Sequence, residues 1–282
     1  MADYNSIKIE EREDGITILT LNRPDRLNAL SYELIDEIDD FLFHLIDRTD
    51  IRVLIVTGEG RGFCAGLDLR EAAVMHNRVI PEEYQRFTYL LSKDKLKRFI
   101  MLQEHLVQIM IRMRRIPQPI IAAIKGPAYG GGFAMTLASD IRIVGESAIF
   151  CNAFIKIGVS GGDCGTTYLL PRLIGMSKAA EIIYTGKNVD ATEADRIGLV
   201  SRVVPDDQLL DAALEMAINL LDKSPLGLKY TKEALNFNVD ASSLEAAVAF
   251  ENRTQNLLST TKDSIEGGTA TMEKRAPKYD EW

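Results

Sequence analysis

The chain has 282 residues, 46% of them hydrophobic, and a formal net charge of −8 at pH 7. A negative charge of this size disfavours broad electrostatic binding to nucleic acid or to an anionic membrane surface, so we expect neither as a partner. The sequence has three cysteines without CxxC spacing and three scattered histidines, which argues against a structural zinc site. It has no run of 18 apolar residues, which argues against a transmembrane helix.

The N-terminal sequence gives an expectation about the cell compartment. Residues 1–14 are acidic and contain neither the apolar stretch of a secretory signal nor an Arg-rich amphipathic pattern. An odd number of cysteines without such a signal is typical of a reducing compartment. We therefore expect a cytoplasmic protein.

The first two thirds of the chain predict strands alternating with helices. Residues 7–21 predict a hairpin that turns at Asp14 and Gly15, and a helix with an apolar face follows. Further strands are predicted at residues 51–56, 120–124 and 141–144, with a strand-like or extended run at 148–157. Residues 70–115 predict helix with a mobile middle, ending before Pro117.

Beyond about residue 205 the sequence predicts helices and no strands. We therefore expect a layered α/β core over residues 1–204 and a helical segment over residues 205–282. The latter begins with an apolar stripe: Leu209, Leu210, Ala213, Leu214, Ala217, Leu220 and Leu221. This stripe offers more apolar surface than one short segment is expected to hide against its own core, so it predicts self-association.

Two glycine-rich stretches share one local design. Residues 53–56 predict a strand that leads into FCAGLDLRE, and residues 120–124 predict a strand that leads into AYGGGFAM. The first N–H groups of a helix lack partners, and glycine allows a ligand to approach the backbone closely. Two such turns side by side would direct two N–H groups at one oxygen, as in an oxyanion hole. Taken singly, each is better explained as an ordinary strand-to-helix turn, and neither has the spacing of a dinucleotide site or a P-loop.

Four ordered blocks carry a resemblance to a known family. They are LNRPDRLNAL at 21–30, GRGFCAGLDL at 60–69, QPIIAAIKGPAYGGGFAMTLASDIRI at 118–143 and IGLVSRVVP at 197–205. The sequence resembles the crotonase, or enoyl-CoA hydratase/isomerase, superfamily. The resemblance implies a spiral of ββα units with a C-terminal helical segment that builds trimers or dimers of trimers. It also implies an acyl-CoA thioester as substrate, so coenzyme A enters with the substrate and no separate cofactor or metal is expected.

The resemblance assigns roles to individual positions. The backbone N–H groups of Leu67 and Gly131 would be the oxyanion donors. The residues that would lie along coenzyme A are Arg26, Leu27, Ala29, Ala65, Asp68 and Leu69. Arg26 would serve a phosphate, although a solvated surface charge explains it equally well.

The two glutamates that family hydratases use to hold and activate water are replaced here. One position is Ala134 and the other is Phe154. Neither side chain transfers a proton, so hydration by two carboxylates is not expected. Phe154 would instead be a wall of the acyl pocket, or an ordinary core residue.

Asp163 is the candidate acid–base. Isomerase-like and dehalogenase-like branches of the family resemble this loop, with their aspartate usually one residue earlier relative to Gly158. A carboxylate beside an apolar acyl pocket removes or returns a proton next to a carbonyl, but Asp163 also precedes a predicted helix and is a good N-cap. The leading interpretation is an isomerase-type enzyme, and the alternatives are a hydratase or other lyase with a different acid and a catalytically inactive acyl-CoA-binding protein.

Other ionisable residues are weaker candidates. They are the acids Glu71, Glu82 and Glu83, the basic cluster Lys93, Lys95, Lys97 and Arg98, and His76. The basic cluster is interpreted as a solvated helix face or, less favourably, as a contact to coenzyme A phosphates. Cys64 and Cys164 have no histidine nearby in the sequence, which disfavours thiol catalysis.

Overall fold

The structure is a computed structural model that describes residues 4–279. In that range the strands are β1 (Ile7–Glu11), β2 (Ile16–Leu21), β3 (Val53–Gly58), β4 (Ile120–Ile124), β5 (Pro127–Tyr129), β6 (Ile141–Gly145), β7 (Ile149–Cys151), β8 (Val189–Asp190) and β9 (Arg202–Val204). The helices are α1 (Tyr32–Leu45), α2 (Leu69–Ala72), α3 (Lys95–Arg115), α4 (Gly131–Ala138), α5 (Thr166–Ile174), α6 (Met176–Thr185), α7 (Ala191–Arg196), α8 (Leu209–Leu221), α9 (Pro225–Asn238), α10 (Leu244–Leu258) and α11 (Lys262–Glu273).

Two sheets organise the core. The larger has the strand order β1-β2-β3-β4-β6-β9, in which β1 and β2 form the predicted antiparallel hairpin and the other neighbours are parallel. The smaller has the order β5-β7-β8. Two consecutive units, β4-β5-α4 and β6-β7-α5, each give one strand to each sheet. This repeated ββα unit confirms the predicted crotonase-like spiral.

Alternation along the strands of the larger sheet divides the apolar side chains between two faces. Leu54 and Val56 of β3 point into the main core, whereas Val53 and Ile55 point to the opposite face. In β4, Ala122 and Ile124 lie on the first face. Because successive side chains of a strand point to opposite sides, uninterrupted apolar strands of this kind need a covering layer on both faces.

Helix α8 provides the second covering layer. Leu209, Ala213 and Ala217 are buried against the second sheet face, and Leu214 and Leu220 pack partly buried beside them. Most of the stripe is therefore hidden against the chain's own sheet, because the outer face of a parallel sheet needs such a helix, and Leu210 is the stripe residue that stays exposed. The predicted boundary at residue 205 thus falls just before a helix that belongs to the core layer.

Two segments differ from the sequence expectations. Residues 69–94 form the four-residue α2 and three 3₁₀ turns, Ala73–His76, Glu82–Tyr84 and Thr88–Leu90, before α3 begins behind its N-cap, Asp94. Residues 148–157 are strand only at β7, and a 3₁₀ turn, Ala153–Ile157, follows. Helix α3 itself ends at Arg115, before Pro117, as predicted.

Helix α9 is held to the core by a buried cation. The Lys232 ammonium donates to the carbonyl oxygens of Met113 and Gln118, each at 2.9 Å, and pairs with Asp140 at 2.9 Å. Burial lowers the pKa of Lys232, and Asp140 opposes that shift. No helix in the described part of the chain is long and apolar enough to span a membrane.

Candidate active site

The two glycine-rich turns lie side by side. The Cys64 N–H donates to Pro127 O at 3.0 Å, and the Tyr129 N–H donates to Cys64 O at 2.9 Å. These bonds form an isolated parallel bridge between Cys64 and Ala128. The second turn follows the short strand β5 rather than β4 directly, which is what brings it against the first.

Glycine is required where the two turns touch. A Cβ on Gly66, whose φ is +87°, would lie 2.8 Å from Tyr129 O, and a Cβ on Gly132 would lie 2.3 Å from Cys64 O. Cβ atoms essentially never approach backbone oxygen so closely. Any side chain at these positions would separate the turns, so both glycines serve the close approach of one backbone to the other.

The N–H of Leu67 is left free by the way its neighbours are paired. Leu30 N–H donates to Gly66 O at 2.8 Å, and Asp68 N–H donates to Leu30 O at 2.9 Å. In a parallel bridge of this kind, the N–H of the middle residue points away from the partner strand. Leu67 N–H therefore points away from Leu30, and it has no acceptor among residues 4–279.

The N–H of Gly131 is free for a different reason. Gly131 is the first residue of α4, where N–H groups lack intrahelical partners. Its neighbour Gly130, with φ +51° and ψ −117°, donates to Cys151 O at 2.9 Å instead. Within the described residues Gly131 N–H also has no acceptor. The two turns thus present two unpaired N–H donors, as an oxyanion hole requires.

The surroundings of these donors are apolar. Phe154 is buried, and its ring lies 3.6 Å from where a Cβ of Gly130 would be. Ala134 is fully buried in the first turn of α4, with its N–H bonded to Gly130 O at 2.9 Å. An aromatic ring and a methyl group therefore lie next to the second glycine turn, at the two positions where the sequence resemblance expects the hydratase glutamates.

Asp163 lies in the loop before α5, partly buried. Its Oδ1 accepts hydrogen bonds from the Cys164 N–H at 2.6 Å and from the Gln103 side-chain amide on α3. Helix α5 begins at Thr166 behind Gly165, and no side chain caps it. The N-cap interpretation of Asp163 was wrong, because its carboxylate bonds to Cys164 and Gln103 instead of to an N–H of α5.

The two runs predicted to hold coenzyme A are adjacent. Ala65 N–H donates to Leu27 O at 2.9 Å, and both Leu27 and Asn28 have left-handed backbone conformations, with φ of 51° and 54°. The structure brings together all the predicted positions of this group: Arg26, Leu27, Ala29, Ala65, Asp68 and Leu69. Arg26 is exposed, and its side chain makes no hydrogen bond or ion pair within residues 4–279, so its guanidinium is available to a phosphate.

The Asp68 side chain has a local role. It is buried, caps α2 by accepting from Arg70 N–H and Glu71 N–H, and pairs with Arg23 at 3.1 Å. A ligand along this run would therefore meet the backbone at residue 68. The exposed Leu69 side chain is the more accessible neighbour.

Sequence reasoning missed Arg23 and Asn28. The Arg23 guanidinium donates to Ala29 O at 2.5 Å and to the Asp68 and Glu71 carboxylates. Asn28 is fully buried and donates to Glu59 O and Gly62 O, which holds the left-handed turn in place. Asparagine tolerates that conformation better than most residues, which was the available signal. Arg23 gave no such signal, because the carboxylates of Asp68 and Glu71 that it pairs with are distant in sequence.

The remaining candidate acids and bases either lie in solvent or are bonded to other groups of the protein. Glu71 is half-buried, burial raises its pKa, and its carboxylate accepts from Tyr32 N–H at 3.1 Å. Glu82, Glu83 and His76 are exposed. Arg98 is buried and donates to Ser92 O, Met75 O and Asn77 O. Its assignment to a solvated basic face was therefore wrong, whereas Lys93, Lys95 and Lys97 are exposed as predicted.

The cysteines are poor nucleophiles. Cys64 is fully buried, and desolvation raises its pKa to about 12. Burial likewise raises the pKa of Cys164 strongly, with the Asp163 carboxylate adding to the shift. The thiolate is the reactive form, so both shifts disfavour thiol chemistry.

The ββα spiral and the paired N–H donors define a crotonase-type architecture. A model of the enoyl-CoA hydratase/isomerase family matches residues 11–281, and the chain belongs to this family. "Probable enoyl-CoA hydratase EchA12" of Mycobacterium tuberculosis is 39% identical over 99% of this chain and 95% of that protein. The 1,2-epoxyphenylacetyl-CoA isomerase of Escherichia coli is 33% identical over 95% of each. A crystal structure of enoyl-CoA hydratase from Bacillus anthracis superposes with a TM-score of 0.85 at 34% identity, covering 98% of this chain and 99% of that one.

Proposed function

We propose that this protein is an isomerase-type enzyme that binds an acyl-CoA thioester, stabilises its enolate and moves a proton with Asp163. The observation that carries the proposal is the pair of unpaired donors, Leu67 N–H and Gly131 N–H, in neighbouring turns. Two backbone donors aimed at a thioester oxygen gain most as negative charge develops there, and one such donor contributes about 3–4 kcal/mol to the rate.

Asp163 supplies the base in this proposal. Both nitrogen donors that contact its side chain bond to Oδ1, so Oδ2 receives no hydrogen bond from nitrogen among residues 4–279. Oδ2 removes a proton from the carbon next to the thioester carbonyl, and the electron pair of that C–H bond forms the enolate. In an enoyl substrate the proton returns at the γ-carbon and the double bond moves toward the carbonyl. The carboxylate is regenerated, and no water or external oxidant is consumed.

The main alternative enzyme is a hydratase or other lyase with a different acid. Ala134 and Phe154 leave no carboxylate at the two positions that hold water in family hydratases. Glu71, the most buried of the other candidate acids, is already engaged by Tyr32 N–H and Arg23. These contacts favour proton transfer by Asp163 over hydration.

Proton exchange tests the proposal. In deuterated water the enzyme should incorporate deuterium at the α- or γ-carbon of a bound enoyl-CoA ester. Mass spectrometry or NMR measures this incorporation. The corresponding free acid should show no enzyme-dependent exchange, because it lacks the nucleotide part that supplies remote binding energy. Exposed Glu104→Gln on α3 is a charge-matched control that should exchange normally. Binding of CoA esters without exchange would instead identify an inactive acyl-CoA-binding protein.

We also propose a trimer or a dimer of trimers in the cytoplasm. With most of the α8 stripe covered inside the chain, the apolar surface that supports assembly lies mainly on α9–α11. There Leu235, Leu244, Leu257 and Ile265 are each more than half exposed. Light scattering should return about three or six times the chain mass of 31.4 kDa. A monomer of 31.4 kDa would contradict this assembly.

A further inference from the structure

Gln103 holds one oxygen of the Asp163 carboxylate. The Gln103 side-chain amide donates to Asp163 Oδ1, across a sequence separation of 60 residues. The Cys164 N–H donates to the same oxygen from within the loop. Rotation of the carboxylate is therefore opposed by one donor from its own loop and one from a separate helix.

Helix α3, which carries Gln103, is fixed on both sides of this residue. Toward its start, the buried Arg98 guanidinium bonds to three backbone carbonyls of the preceding segment. Toward its end, Arg112 pairs with Asp39 of α1 at 2.5 Å, and Arg114 pairs with Asp140 at 3.3 Å. Gln103 therefore acts from a well-supported element, as precise positioning of a reactive group requires.

The same helix also contacts the oxyanion turn. Leu106 is buried, and its Cδ1 lies 3.9 Å from where a Cβ of Gly131 would be. Residues three apart on a helix lie on one face, so Gln103 and Leu106 are neighbours. One face of α3 thus contacts both the carboxylate and the second donor turn, and it spaces them from one another.

We infer that Gln103 is a positioning residue for the Asp163 base. By holding Oδ1, it leaves Oδ2 as the oxygen that takes the substrate proton and fixes its place relative to Gly131 N–H. This inference rests on the proposed role of Asp163. Gln103 itself exchanges no proton with the substrate, so its loss should affect the proton-transfer step more than CoA-ester binding.

The test replaces Gln103 with Met, which keeps the length of the side chain and removes the donor. Gln103→Met should lower kcat for exchange or isomerisation by about 10–100-fold while KM changes by less than about 3-fold, since misorientation of a reactive group affects the rate strongly. Gln108→Met is the matched control. Gln108 lies on α3, about 140° around the helix, and makes no side-chain hydrogen bond in the described range. This control should keep kcat within about 2-fold.

A double-mutant cycle separates positioning from a general packing role. In the Asp163→Asn background, Gln103→Met should cause little further loss, because the base that Gln103 orients is already absent. The inference would be overturned if Gln103→Met lowered kcat by the same factor in the wild-type and Asp163→Asn backgrounds. It would also be overturned if Gln103→Met had a near-normal kcat while Asp163→Asn was defective. Either result would leave the proposed function standing. Normal turnover of Asp163→Asn would instead reject the role of Asp163 itself.

Discussion

Replacing Asp163 with Asn is expected to lower proton exchange on a CoA ester at least ~100-fold, while ester binding and thermal stability change little. Loss of a general base in this role lowers rates by about 10²–10⁴-fold. The expected stability has a local cause. The Asn carbonyl oxygen still accepts from Cys164 N–H and from the Gln103 amide, so both hydrogen bonds of Oδ1 are retained. The change falls on Oδ2, which becomes an amide nitrogen that takes no proton.

Three measurements check this prediction: deuterium incorporation at saturating CoA ester, ester affinity by calorimetry, and the melting temperature. Glu104→Gln on α3 also removes one carboxylate, so it controls for the change in net charge. Near-normal turnover of Asp163→Asn on the true substrate would remove Asp163 from the mechanism. The search for the base would then move to Glu71, Glu82 and Glu83, or to a water held by backbone groups.

Replacing Gly131 with Pro is expected to lower kcat at least ~100-fold, because it removes one of the two oxyanion donors. Ester binding should fall less, since this hydrogen bond strengthens mainly as charge builds on the oxygen. The fold should tolerate the change. Gly131 is the first residue of α4, where proline is favoured, and its N–H has no acceptor in residues 4–279 to lose.

The control for this substitution is Gly131→Ala, which adds a Cβ but keeps the N–H. That Cβ would meet Leu30 Cδ1 at 2.7 Å, the end of a flexible side chain that is able to move aside. We expect the Ala variant to retain most of the activity of the unmodified enzyme in steady-state kinetics. Circular dichroism of both variants checks that they are folded. If folded Pro and Ala variants lost the same activity, crowding of Leu30 would explain the loss and the N–H would have no special role.

Together, these two substitutions probe opposite sides of one reaction. In the proposed reaction, the N–H groups of Leu67 and Gly131 would stabilise the oxygen that gains charge, and Asp163 would take the proton whose departure creates that charge. Phe154 and Ala134 place an aromatic ring and a methyl group, and no carboxylate, beside the second donor turn. With no carboxylate there to activate water, addition of water to the enoyl double bond is disfavoured relative to return of the proton to carbon, which is the reason to favour isomerisation.

Much of the fold and the positions of the donors were determined by local sequence. The Asp14-Gly15 turn, the apolar strands and the proline that ends α3 act over a few residues, so their outcome is readable without the rest of the chain. The two glycine turns were readable for the same reason, because a missing side chain has a local effect on the backbone. The ordered sequence blocks added the family and, with it, the positions of Leu67 and Gly131.

Only the tertiary structure decided which partner each polar or apolar group takes. The α8 stripe was expected to drive assembly, but the outer sheet face covers most of it. Asp163 was a candidate helix cap, but Gln103, 60 residues away, bonds to its carboxylate. Arg98 was expected in solvent, but the 3₁₀ turns before α3 supply carbonyls that satisfy it. Hydrogen bonds and apolar burial depend on distance in space, and the spacing of residues along the chain does not encode those long-range distances.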